Sequence, residues 1–208
     1  VLCLMCESEG CEVQGYTAPN HKITPSIEKY FRDKNRIIIS LYTQSAYSIT
    51  EVIFLARKYN RKLCLYNRSM QRLVKGLRSL DLLGSLDDIL VDYSYLSEND
   101  DVVILVSGVG QRVFRELIKL ADGNADKNFM IRNTDTIIIA TQPVPGLEIM
   151  AANASDALYS SGAKVVTIPK KSVSSMHAHS EDIKMLLNIM KPKYFMPVKG
   201  EYKSLLAN

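Results

Sequence analysis

The stretch Asp101-Val102-Val103-Ile104-Leu105-Val106 decides the fold class, because after its first residue it is an unbroken apolar run of strand length. It continues into Ser107-Gly108-Val109-Gly110, and the sequence that follows predicts a helix to about Ala121. An apolar strand without polar alternation, followed directly by a helix, is typical of a parallel sheet with helices on both faces.

The same alternation of apolar strands and helices recurs along the rest of the chain. Further strands are predicted at residues 36–42, 62–66, 135–140 and 164–168. The Ser48-x-x-Glu51 pattern predicts a capping box that opens one helix, and Ser69 is predicted to cap the next. The predicted fold class is therefore α/β, with a mostly parallel sheet covered by helices.

The strand ends of such a sheet are the expected place for a ligand. The loops at 42–45, 107–110, 141–143 and 172–177 are rich in small and hydroxylic residues, which can present N–H groups and hydroxyls to phosphates. Small residues suit ordinary tight turns equally well, so both interpretations stay open. A dinucleotide fingerprint is not favoured, because the position of its third glycine holds Val113.

Composition narrows the choice of partners and compartment. The 26 basic and 22 acidic residues give a net charge of +4, which permits a polyanionic partner but alone favours an ordinary lysine-rich surface. No apolar run approaches the roughly 18–20 residues of a membrane span, so no membrane partner is expected. Cys3-x-x-Cys6 lacks a second ligand pair, and we expect free thiols in a reducing, cytoplasmic compartment. Because the sequence starts and stops inside predicted elements, we expect a piece of a longer chain.

The segment Met176-His177-Ala178-His179-Ser180-Glu181-Asp182-Ile183-Lys184 leads from a loop into a helix. Ser180 is predicted to cap this helix, which should end before Pro192. His177 thus precedes a helix N-terminus, where anions gather, and can contact a phosphate or donate a proton. A loop histidine is also commonly structural or merely exposed, and this alternative stays open.

This segment and residues 191–202 together resemble the C-terminal signature of the ribonuclease J family, GHASxEDLKxML…KPKYFxPVHGEY. The spacing agrees as well: the two histidines of the signature lie 22 residues apart, as do His177 and Lys199 (199 − 177 = 22). Residues 1–8, 66–70 and 142–148 are similar to the family's VLxLLSDS, GRSM and SxPIPGNE segments. Ribonuclease J is a β-CASP member of the metallo-β-lactamase superfamily.

The resemblance implies a domain organisation. Residues 25–170 would form a β-CASP domain, inserted between two parts of a metallo-β-lactamase αββα domain at residues 1–24 and 171–208. Active members of the family use zinc or manganese. Their HxHxDH metal motif would lie upstream of this sequence.

Three positions depart from the family pattern. Glu7 stands in place of a metal-bridging aspartate, Asn20 in place of an acid, and Lys199 in place of the final metal-ligating histidine. Glu7 remains a weak candidate metal ligand. The ammonium of Lys199 would repel a divalent cation, although it could occupy the cation's position and hold a phosphate. We therefore expect no cofactor in this chain.

The resemblance implies a role in RNA processing and mRNA decay. One hypothesis is an RNA-binding, catalytically impaired subunit that works with an active paralogue. The alternative is an active metal-dependent 5′-exo- or endoribonuclease whose remaining ligands lie upstream. Expected partners are single-stranded RNA and a ribonuclease J paralogue in a homo- or hetero-oligomer. The predicted catalytic residue is His177, and the predicted RNA-binding residues are Ser107, Gly108, Ser175, His177, Ala178, His179 and Lys199.

Overall fold

The structure is a computed structural model that describes residues 1–17, 22–123, 129–169, 173 and 177–208. Its strands are β1 (Cys3–Glu7), β2 (Ile37–Tyr42), β3 (Lys62–Leu65), β4 (Val102–Gly108), β5 (Thr136–Ile139), β6 (Lys164–Thr167) and β7 (Tyr194–Val198). Its α-helices are α1 (Thr24–Phe31), α2 (Ala46–Lys58), α3 (Arg68–Ser79), α4 (Gln111–Ala121), α5 (Glu148–Ser160), α6 (Ser180–Met190) and α7 (Tyr202–Ala207), and a 3₁₀ helix (Tyr93–Ser97) precedes β4.

The chain forms two compact units. The terminal unit combines Val1–His21 with Ser174–Asn208, and the central unit is Lys22–Val173. The assignment of residues 1–24 and 171–208 to a metallo-β-lactamase domain, and of 25–170 to a β-CASP domain, stays a prediction. Among the described residues, no helix is both long and apolar enough to cross a membrane.

The central unit is built on a five-stranded sheet in the order β3-β4-β2-β5-β6. Each pair of neighbouring strands is parallel. Strands β2 and β4 are buried along their whole length, as expected for strands that are covered on both faces. The predicted α/β class with a parallel sheet is therefore confirmed.

Alternate residues of each strand pack into two separate cores. In β2, Ile37 and Ile39 face the core that also contains apolar residues of α1, α2 and α3. Ile38 faces the opposite core, which contains apolar residues of α4 and α5. This division follows from the two-residue period of a strand, which sends successive side chains to opposite faces.

A buried ion pair joins the residues that precede β2 and β5. The guanidinium of Arg36 donates two hydrogen bonds to Asp135, from Nε to Oδ1 at 2.9 Å and from Nη2 to Oδ2 at 2.6 Å. Both side chains are almost completely buried. Such a forked, charge-assisted pair fixes the relative position of the two strand starts.

Two predicted helix starts in the central unit are wrong. Helix α2 begins at Ala46, so Ser48 lies inside it and forms no capping box. The carboxylate of Glu51 instead accepts hydrogen bonds from the N–H and hydroxyl of Thr24, at 2.8 and 2.6 Å. Ser69 is the second residue of α3, because the side chain of Asn67 accepts from the N–H of Met70 and is the actual cap.

The terminal unit holds the parallel pair β1–β7 together with α6 and α7. Helix α6 begins at Ser180, and its N-cap is His179, so the predicted cap at Ser180 is wrong by one residue. The reason is the carboxylate of Asp182, which accepts the N–H of His179 at 3.0 Å. The helix ends at Met190, as the position of Pro192 predicts.

Candidate functional site

Four charged or ionisable side chains meet at the strand ends of the terminal unit. Nδ1 of His177 lies 2.9 Å from Oε1 of Glu7, and its Nε2 lies 3.5 Å from Oε1 of Glu9. The ammonium of Lys199 lies 2.9 Å from Oε2 of Glu7 and 3.4 Å from Oε2 of Glu9. The two carboxylates therefore share both an imidazole and an ammonium group.

The backbone brings these side chains together. Glu7 is the last residue of β1 and lies opposite Val198, the last residue of β7, so Lys199 follows at the same edge. The carbonyl of Lys199 accepts the N–H groups of Ser8 and Glu9, at 3.0 and 3.1 Å. Lys199 has a φ of 52°, in the left-handed region that non-glycine residues rarely adopt. Its carbonyl is therefore held by the turn that follows Glu7 and contains Glu9.

The ammonium and the carboxylates stabilise each other's charge. Partial burial acts to raise the pKa of Glu7, but hydrogen bonds from Lys199 and His177 outweigh this effect and lower that pKa below its ordinary value. The pKa of Lys199 is raised, chiefly by its hydrogen bond with Glu7. At neutral pH, Glu7 is therefore a carboxylate beside a protonated lysine.

The side chains of the cluster do not by themselves form a metal-ligand set in this structure. Within the described part of the chain, no group of three or more His, Cys, Asp or Glu side chains is arranged to hold a metal. Glu7 and Glu9 lie against different nitrogens of His177, so no single imidazole nitrogen contacts both carboxylates. The ammonium of Lys199 also lies against both carboxylates and would repel a dication.

A glycine keeps His177 close to the β1 turn. Gly10 has a φ of 100°, and a Cβ on it would lie 2.9 Å from the carbonyl oxygen of Ala178 and 3.0 Å from Cβ of His177. The next residue, His179, donates its N–H to Asp182, which also accepts the N–H of Thr17 at 2.7 Å. His177 and Ala178 thus lie against the turn after β1, whereas His179 acts as a helix cap.

Two other predicted RNA-binding residues belong to the central unit. Ser107 and Gly108 end β4 in the central unit, and Ser107 is fully buried with its hydroxyl 3.2 Å from Oδ1 of Asn67. Its hydroxyl therefore positions Asn67 in this structure, and a direct contact with RNA stays a prediction. Ser175 and the substituted Asn20 lie outside the described residues.

Glu9 was missed by the sequence reasoning. Its position gave little signal, because β1 ends at Glu7 and Glu9 lies in the turn that follows, where the two-residue period of a strand no longer applies. It was missed because the resemblance drew attention only to Glu7.

Two protein-family models match the chain. Residues 34–158 match a family model described as "Ribonuclease J, beta-CASP domain". Residues 165–207 match one described as "Zn-dependent metallo-hydrolase RNA specificity domain". The first match covers well over half of the chain.

Similarity to known proteins covers the whole length of this chain but only part of each relative. "Ribonuclease J2" of Bacillus subtilis (strain 168) is 29% identical over an aligned region of 211 residues, which covers 100% of this chain and 38% of the relative. "Ribonuclease J" of Synechocystis sp. is 29% identical over 212 residues, 33% of its length. "Ribonuclease J 2" of Staphylococcus aureus (strain NCTC 8325 / PS 47) is 28% identical over 211 residues, 38% of its length. The chain thus spans between a third and two fifths of these relatives. It belongs to the ribonuclease J family.

Proposed function

We propose that the protein acts in RNA processing and mRNA decay, as an RNA-binding and catalytically impaired subunit that works with an active ribonuclease J paralogue. The relatives that support this role are named as ribonucleases, and the second family model is described by RNA specificity. The proposed compartment is the cytoplasm, which the four free cysteines support.

The observation that carries the impairment is the ion pairing of Lys199 with Glu7 and Glu9. Metal-dependent hydrolases use a bound metal to generate hydroxide near neutral pH and to polarise the scissile group. Here an ammonium lies where the family signature has a metal-ligating histidine. The two carboxylates are instead paired with one ammonium group that the protein itself supplies.

The side chains of the cluster can bind a phosphate group without a metal. The side chain of Lys199 is 59% exposed, so its ammonium can still donate a hydrogen bond to a phosphate oxygen. His177 is the remaining candidate for proton transfer, which contributes typically about 10²–10⁴-fold to a rate. That is well below the roughly 10⁶-fold or more that enzymes supply. Binding of RNA without efficient cleavage is the expected result.

A paired binding and cleavage assay tests the proposal. The probe is a fluorescent, 5′-monophosphorylated single-stranded RNA, with manganese or zinc added in separate reactions. We expect salt-sensitive binding by anisotropy and no cleavage above the buffer rate on a gel. We also expect less than one equivalent of either metal after equilibrium dialysis.

Two matched substitutions test whether the ammonium of Lys199 is what weakens metal binding. Lys199→Ala removes the ammonium from the carboxylates, and Lys203→Ala removes a lysine that pairs with Glu12 and Glu201 in the same unit. We expect stronger metal retention for Lys199→Ala only. Robust metal-dependent degradation by the unaltered protein would overturn the impairment. It would favour the alternative of an active 5′-exo- or endoribonuclease whose remaining ligands lie outside this chain.

The proposed partnership needs a separate measurement. The protein is mixed with an active ribonuclease J and examined by size-exclusion chromatography with light scattering. A mass equal to the sum of the two chains, or a multiple of that sum, supports a hetero-oligomer. Two unshifted peaks at micromolar concentration would remove the partner from the proposal.

A further inference from the structure

Strand β3 lies at one edge of the central sheet, and its outer side is covered only in part. The N–H of Leu63 donates to the carbonyl of Ile89 at 2.8 Å, and its carbonyl accepts the N–H of Val91 at 3.0 Å. These two bonds form a parallel bridge between Leu63 and Leu90. Within the described part of the chain, the edge of β3 thus pairs with an extended segment at a single residue.

The pairing stops before β3 ends. Alternation along a parallel strand directs the N–H of Leu65 to the same side as that of Leu63. The next acceptor on that side would be the carbonyl of Val91, but among the described residues neither group has a hydrogen-bond partner. The reason is that the chain turns away at Asp92, into the 3₁₀ helix Tyr93–Ser97. A donor and an acceptor of a sheet edge are therefore left open.

A cavity of about 340 Å³ opens where the pairing stops. This volume lies in the lower part of the range typical of ligand sites, about 300–1,000 Å³. Four of its lining residues carry large apolar or aromatic side chains, namely Leu65, Leu90, Val91 and Tyr93. The side-chain amide of Gln71 also lines it and donates to the carbonyl of Leu65 at 3.1 Å. An apolar side chain with a short piece of backbone would suit this space.

The charge at the cavity is negative. Among the described residues that line it, Asp92 alone is charged, and this exposed carboxylate forms no ion pair there. Asp88, at the other end of the segment that pairs with β3, is also exposed and forms no ion pair within the described residues. The thiol of Cys64 stays neutral, because burial raises its pKa to about 12. A cationic group is therefore favoured beside the cavity, and an anion is disfavoured.

We propose that this edge binds an extended peptide segment of a partner protein by strand addition, with an apolar side chain in the cavity and a lysine or arginine beside Asp92. In this mode of recognition, main-chain hydrogen bonds supply affinity and pockets for alternate side chains supply specificity. Leu65 and Val91 offer the N–H and the carbonyl, and the cavity receives the side chain. The site goes beyond the proposed function, because its ligand is a protein segment instead of RNA.

Peptide binding is tested with labelled pentapeptides of the form Lys-Val-X-Val-Lys, in which X is valine, leucine or phenylalanine. Each peptide is also made in two methylated forms, with methyl groups on the backbone nitrogens of either the odd or the even positions. Only one of these two sets of N–H groups can face β3 in an added strand.

We expect at least one unmodified peptide to bind, as measured by anisotropy. One of its methylated forms should bind roughly tenfold more weakly or worse, and the other nearly as well as the unmodified peptide. If no peptide binds at about 1 mM, or if both methylated forms bind alike, strand addition at this edge is wrong.

Two aspartate substitutions test where the peptide lies. Asp92→Asn removes the carboxylate at the cavity, and Asp156→Asn removes an exposed carboxylate of α5 that does not line it. Because an exposed ion pair contributes little, we expect roughly two- to fivefold weaker binding for Asp92→Asn at low salt and no change for Asp156→Asn. Equal affinities of the two variants would mean that the peptide binds elsewhere.

Hydrogen exchange measures the open edge directly. In the free protein, the amide of Leu65 should exchange faster than that of Leu63, which is hydrogen-bonded. Saturation with the peptide should slow the exchange of Leu65 by roughly tenfold or more. Unchanged exchange in the bound state would overturn the proposal. Protection of Leu65 in concentrated free protein that is lost on dilution would show a second copy at this edge, and would equally overturn a partner peptide.

Discussion

The ammonium of Lys199 lies 2.9 Å from the carboxylate of Glu7, although 192 positions separate the two residues in the sequence. We predict that Glu7→Gln lowers the pKa of Lys199 towards its ordinary value, because the hydrogen bond with Glu7 is the main cause of its increase. The measurement is a ¹³C NMR titration of the lysine Cε signals. Lys203, whose pKa is raised chiefly by Glu12, is the internal control and should not move.

An unchanged pKa of Lys199 in this variant would contradict the contact. It would also remove the basis for treating Lys199 as the cation of the cluster.

Unfolding at acidic pH tests the hydrogen bonds that Asp182 accepts at the start of α6. A hydrogen bond from the Thr17 hydroxyl, together with N–H groups of Thr17 and His179, holds the pKa of Asp182 below its usual value. A carboxyl whose pKa is lower in the folded state stabilises the fold above its unfolded pKa, and this stability is lost as pH falls through the folded pKa. We therefore predict that Asp182→Asn loses less stability on acidification than the wild type.

Unfolding in urea at pH values from 7 down to 3 measures this difference. Thr17→Val removes the main hydrogen bond and should reproduce part of the change in slope. Parallel pH profiles for the wild type and Asp182→Asn would show that the carboxylate does not hold the helix start.

The buried pair of Arg36 and Asp135 predicts a large loss of stability when it is broken. Asp135→Asn leaves the guanidinium buried without a counter-charge, which typically costs about 3–5 kcal/mol. The exposed pair of Arg132 and Asp100 is the control, and Asp100→Asn should cost at most about 1 kcal/mol. Urea unfolding measures both free energies, and equal values for the two variants would refute the assignment.

Two glycines of the central unit should respond in opposite directions to the same substitution. A Cβ on Gly108 would lie 2.5 Å from the backbone nitrogen of Val113, so Gly108→Ala should destabilise by about 1–3 kcal/mol. Gly76 lies inside α3 with nothing near the position of a Cβ, so Gly76→Ala should stabilise by about 0.5–1 kcal/mol. Thermal unfolding of both variants gives the signs directly. A stable Gly108→Ala variant would show that β4 and α4 can separate without cost.

The parts of the fold that could be predicted are those set by apolar patterning. The strand Val102–Gly108 is buried on both faces, and its unbroken apolar run predicted a parallel strand. Helix starts were predicted less well because caps depend on tertiary contacts. Glu51 binds the start of α1 instead of its own helix, and nothing in the local pattern shows that Thr24 will be its partner.

The candidate site, like the fold, could be predicted only in part. The resemblance located His177 and Lys199 because their sequence spacing is that of the family signature. It could not show that the ammonium lies against Glu7 and Glu9, because a distance between side chains depends on the register of β1 with β7.

The pairing of β1 with β7 sets an order of events during synthesis. Cys3 lies opposite Tyr194, so 194 − 3 = 191 further residues must be synthesised after Cys3 before β1 can pair with β7. At about 5–20 residues per second this delay is roughly 10–40 s, during which the contiguous central unit can already fold. The sulfur of Cys11 contacts the carbonyl of Ser204 and is buried by that late segment, whereas Cys64 lies in β3. A thiol reagent applied to ribosome-bound chains should therefore find Cys64 protected while Cys11 still reacts.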